Sequence, residues 1–122
     1  LEASISPSSG LVKTAVKVSI TPSSVNSRVM LHLNSGALST YGTSVLKTGF
    51  FRDDTILEGS GGAYQSDIIM SDSHSNSWVD SPNTTSEVIY TFGVDAEKGP
   101  AYWSTWDGRA RAIQLIAMEI GE

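Results

Sequence analysis

The chain contains no cysteine. That excludes a disulfide frame and any thiolate-held metal centre. Basic residues are scarce too: 8 Lys and Arg stand against 13 Asp and Glu, leaving a formal net charge of −5. Phosphate backbones are gripped by clustered Lys and Arg, so nucleic acid is not an expected partner. No apolar run approaches the roughly 18 residues that a membrane-spanning helix requires, and no signal-peptide pattern is present, so no membrane insertion is expected. Helical periodicity is missing as well, because no run of useful length repeats its apolar residues at i, i+3, i+4 and i+7. There is no Gly-x-Ser-x-Gly elbow and no phosphate-cradling glycine loop.

Ser, Thr and Gly are abundant, and 122 residues suffice for one domain with one core. The stretch around which the chain is organised runs from Trp78 to Phe92. Asp80, Ser81 and Pro82 impose a bend, since proline fixes its own φ and drives its predecessor out of the helical region. Val88, Tyr90, Phe92 and Val94 then share one face of an extended run, with Glu87, Thr91 and Gly93 on the other, which predicts a half-buried β-strand. Residues 96–100 have turn chemistry and residues 101–106 are aromatic and β-compatible, so the two runs read as a hairpin. Asp107-Gly108 is a further turn signal.

Residues 1–13, rich in Ser, Gly and Pro, read as a linker or arm, and residues 14–122 as the folded domain. We read the opening Leu1 as the mark of a piece of a longer polypeptide. Val16, Val18 and Ile20 alternate with Lys17 and Ser19 as a strand with one wet face. In Arg28 to Asn34, Val29, Leu31 and Leu33 oppose Met30 and His32. Both sides are partly apolar, which predicts a strand interior to a sheet. Val45 to Phe51 and Thr55 to Leu57 read as strands joined through Arg52-Asp53-Asp54, and Gln65 to Met70 as another. The stretches 35–44, 58–64 and 71–77 read as loops, the glycine-rich middle one because small residues cannot pack a core. Roughly seven to nine short strands punctuated by turns are the pattern of an all-β antiparallel sandwich of jelly-roll-like form.

The last run is apolar on both faces: Gln114, Ile116, Met118 and Ile120 share one, Ile113, Leu115, Ala117 and Glu119 the other. A small sandwich has one core to fill, so the second apolar face predicts a subunit interface, placed on Ile113, Leu115 and Ala117.

Several short motifs occur in a suggestive order: Ser19 to Ser24 (Ser-Ile-Thr-Pro-Ser-Ser), Phe50 to Thr55 (Phe-Phe-Arg-Asp-Asp-Thr), Asp80 to Ser86 (Asp-Ser-Pro-Asn-Thr-Thr-Ser), Tyr90, and Ala117 to Ile120. Over residues 14–120 this order and spacing resembles bacteriophage virion domains of tail fibres and other particle-surface proteins. The resemblance implies a jelly-roll module that assembles as a trimer, as tumour-necrosis-factor-like domains do, with a structural or adhesive role.

Each candidate site has a plain alternative. Asp72, His74 and Asp80, with Asp67 nearby, could offer ligands to a divalent cation, but their spacing matches no calcium loop or zinc pattern, so no metal and no cofactor is expected. Asp53 and Asp54 cannot face one another as a glycosidase pair, because neighbours on a strand point to opposite faces; a polar turn cluster with Arg52 is the expectation. Asn83-Thr84-Thr85 fits the glycosylation pattern, yet its side chains are suited to closing the local turn. Tyr41, His74, Trp103 and Trp106 are the candidate ligand or receptor contacts, since aromatic rings stack on sugar faces; packing in the core or an interface is the favoured alternative for the rings.

The expectation is therefore a non-enzymatic module on the phage particle surface. It is a homotrimer in a tail fibre or appendage, in contact with other virion proteins and with a glycan or protein of the host surface. Within that class the alternative is a capsid decoration protein. From a different class the rival is a carbohydrate-binding module or small glycan hydrolase.

Overall fold

The computed structural model describes residues 3–5, 11–34, 38–40, 44–60, 63–66, 70–72, 75–98, 101–103 and 114–121, with backbone alone at 3–5, 38–40, 44–46, 63–66, 70–72, 96–98 and 101–103. The described strands are β1 (Ala3–Ile5), β2 (Val12–Ile20), β3 (Arg28–Asn34), β4 (Leu38–Thr40), β5 (Ser44–Arg52), β6 (Thr55–Leu57), β7 (Ala63–Ser66), β8 (Met70–Asp72), β9 (Ser75–Asp80), β10 (Val88–Lys98), β11 (Ala101–Trp103) and β12 (Gln114–Ile120). Twelve strands exceed the expected count because the stretches read as loops or linker contain β1, β4 and β8, each three residues long. Runs that short carry too little alternation to be seen in a sequence.

Every described pairing is antiparallel. One sheet runs β2-β10-β5-β6 with β7 also on β5, a second runs β12-β3-β9, and a third runs β1-β11-β4-β8. The first two pack face to face as a β-sandwich. Strand β3 lies between β12 and β9, as its two-sided apolar character predicted. The hairpin expected between β10 and β11 is not formed: β10 pairs with β2 and β5, while β11 pairs with β1 and β4. Aromatic, β-compatible composition specifies a strand but not its neighbour.

The core is what strand alternation dictates. From β10, Val88, Tyr90, Phe92 and Val94 are all buried; they meet Phe50 and Leu57 of their own sheet and Val29, Leu31 and Leu33 of β3. The Phe50 and Phe92 rings sit 6.2 Å apart at 59°, a tilted arrangement that aromatic quadrupoles favour. Each large side chain so enclosed contributes about 1.5–3 kcal/mol. Val16, Val18 and Ile20 of β2, Leu115 and Ala117 of β12 and Trp78 of β9 pack against this core but are only partly covered. Five of these six belong to β2 and β12, which neighbour one another at a flank of the sandwich.

Two bends join the sheets. Residues 21–27 carry the chain from β2 to β3, with Pro22 buried and the Ser27 amide closing a turn on the Ser24 carbonyl. Residues 81–87 carry it from β9 to β10 at the predicted Asp-Ser-Pro bend. There Asn83 adopts φ 55° and the Ser86 amide donates to Thr84 Oγ1 at 3.0 Å, so this threonine does close its own turn.

Candidate functional site

Strand alternation places Arg28, Met30, His32 and Asn34 of β3 on the outer face of the three-stranded sheet. The register sets Met118 of β12 and Val79 of β9 on either side of Met30, and Ile116 and Ser77 on either side of His32. Met118, Val79 and Ile116 are exposed at 51%, 44% and 47% while Met30 is half-buried, so a contiguous, partly solvent-exposed apolar strip crosses this face. The largest contiguous apolar patch on a small domain is often a functional surface. Among the described residues the face carries Arg28 and no carboxylate, which is unusual in a chain of net charge −5. His32 Nδ1 and Ser77 Oγ lie 2.8 Å apart within it, but no described carboxylate hydrogen-bonds this histidine.

The residues expected at the interface lie differently. Leu115 and Ala117 face inward and pack on the core; the outward surplus on β12 is Ile116 and Met118. Period-2 alternation divides a strand into two faces without saying which one the facing sheet will cover. Ile113 lies outside the described residues, as do Tyr41, His74 and Trp106. Trp103 is placed in β11 opposite Ala3 and Leu38, with its side chain outside the description. The five aromatic residues whose side chains are described turn inward or pack down, with Phe50, Phe51, Tyr90 and Phe92 buried and Trp78 half-buried, so no exposed ring among these five offers a sugar platform.

Four of the described acidic residues, Asp53, Asp54, Asp80 and Glu119, have structural employment. Asp80 is buried, and Arg52 Nη1 donates to its Oδ1 at 2.8 Å and its Oδ2 at 3.0 Å. The Tyr90 hydroxyl donates to the same Oδ2 at 2.7 Å. Burial first, and then this bond to a carboxylate, hold the Tyr90 phenol far above its ordinary range. Arg52 therefore pairs across the sandwich with Asp80 rather than in a cluster with its neighbours Asp53 and Asp54, as its position next to them had implied. Asp54 pairs with Lys13 at 2.6 Å, which keeps its carboxyl below the usual value. Asp53 stands at φ 52° in the β5–β6 turn; its Oδ1 accepts the Ile89 amide at 3.0 Å and its own amide donates to the Ile89 carbonyl at 2.7 Å. These partners come from strands distant in sequence, so neighbour spacing gave no signal of them.

Glu119 lies on the inward side of β12 but at the flank, where its Oε1 accepts the Ser23 amide and hydroxyl, each at 2.7 Å. Hydrogen bonds from the side chains of Ser27 and Ser23, and from the Ser23 amide, hold its carboxyl below the ordinary range. This ties the bend between β2 and β3 to the terminal strand. Among the described residues no group of three His, Cys, Asp or Glu side chains could hold a metal ion.

Among the described residues, two shallow hollows lie against the five-stranded sheet. One, of about 360 Å³, is lined by Lys13, Lys17, Asp53, Asp54, Ile89 and Thr91, a mixed-charge set without a ring. The other, of about 260 Å³, lies beside Gly49, Ser60 and Asp95. Neither sets two carboxylates across a sugar-sized gap with an aromatic floor, which is what glycan hydrolysis would use. The apolar outer face of β12, β3 and β9 is therefore the candidate functional site. No protein-family model matches the chain, and no curated protein matches it.

Proposed function

We propose that this chain is a non-enzymatic assembly module of a bacteriophage particle surface, a jelly-roll-type sandwich whose copies associate as a homotrimer. One observation carries the assembly half of the reading: the solvent-facing strip of Met118, Met30, Val79 and Ile116 on a three-stranded sheet. Strands about 4.8 Å apart rising about 3.3 Å per residue give that face roughly 300 Å². A standard interface takes about 800 Å² from each partner, so the contact extends beyond this face. The partly covered flank of β2 and β12 supplies apolar area for that extension. The jelly-roll form is supported by the two bends that pass the chain between sheets. The setting on a phage particle, in a tail fibre or appendage that meets the host surface, rests on the motif order from Ser19 to Ile120.

The two halves are tested separately. Solution mass of the purified chain reports assembly. Labelled antibody against the chain, viewed on purified virions by electron microscopy, reports the setting: label on fibres or appendages supports it, label on the head moves the assignment to a decoration role, and bare particles retire it.

A further inference from the structure

We draw no further inference here: the strongest candidate, the hollow beside Gly49 and Ser60 against the five-stranded sheet, rests on one half-buried carboxylate, Asp95, whose Oδ1 meets no hydrogen-bond partner, and no second observation among the described residues identifies a ligand for it.

Discussion

The Tyr90 hydroxyl donates to Asp80 Oδ2 across 2.7 Å, and through that bond the β10 strand of one sheet is tied to the β9 strand of the other. Arg52 completes the tie from β5. Ten residues separate Asp80 from Tyr90 in the chain, and the Pro82 bend lies between them, so one short stretch both turns the corner of the sandwich and locks it. Removing Asp80 leaves the Arg52 guanidinium without its carboxylate, with only the Ser81 carbonyl at 3.3 Å, and takes the acceptor from the buried Tyr90 hydroxyl. Asp80→Ala is expected to cost about 2–4 kcal/mol in chemical denaturation, whereas Tyr90→Phe, which leaves Asp80 its arginine, costs about 1 kcal/mol.

The same bond sets an alkaline limit. The Tyr90 phenol is raised in the folded state above the ordinary 10.0, so its contribution is complete below about that pH and declines as pH rises further, because the unfolded chain then ionises and the folded chain does not. Stability measured from pH 9 to pH 11 should therefore fall more steeply for the wild type than for Tyr90→Phe. Parallel slopes would mean that the phenol is free to ionise in place.

An acid limit comes from Glu119, whose carboxyl is depressed by its serine donors. A lowered folded value contributes stability above the ordinary glutamate range and loses it as pH falls through the folded value. Glu119→Gln should flatten the loss of thermal stability between about pH 5 and pH 3 relative to wild type. An unchanged acid limb would show that the bend at residues 21–27 does not depend on this charge.

Gly93 lies opposite Gly49 across β10 and β5, and Leu11 fills the dent that the two glycines leave. A Cβ at Gly93 would stand 2.7 Å from Phe51 Cε2 and 2.8 Å from Leu11 Cγ, distances that real contacts avoid. Gly93→Ala should cost roughly 1–3 kcal/mol, with part of the loss recovered in Gly93→Ala/Leu11→Ala by equilibrium denaturation. Equal costs in the single and double variants would show that Leu11 is not what crowds the site.

Local alternation was enough to read the core. Val88, Tyr90, Phe92 and Val94, Val29, Leu31 and Leu33, and the half-covered Val16, Val18 and Ile20 all lie where a period of two puts them. Partnership was not legible. Arg52 stands beside two aspartates in sequence yet reaches Asp80, and β11 follows β10 but joins another sheet, because both choices are made by strands brought together only in the fold. The candidate site was half legible: alternation shows that the final strand is apolar on both faces, but not that Leu115 and Ala117 turn to the core while Ile116 and Met118 turn to solvent. Met30 and Val79, which extend the strip, became visible only through the register of β3 with β9 and β12.

The most direct test is the mass in solution, by sedimentation equilibrium, of the wild-type chain and of Met118→Glu. The wild type is predicted to run at a multiple of its 13.0 kDa chain mass, three-fold for the proposed trimer. The variant should run at the single-chain mass with its unfolding midpoint little changed, because Met118 faces outward. A wild-type chain that sediments at the single-chain mass at micromolar concentration, indistinguishable from Met118→Glu, would contradict the account.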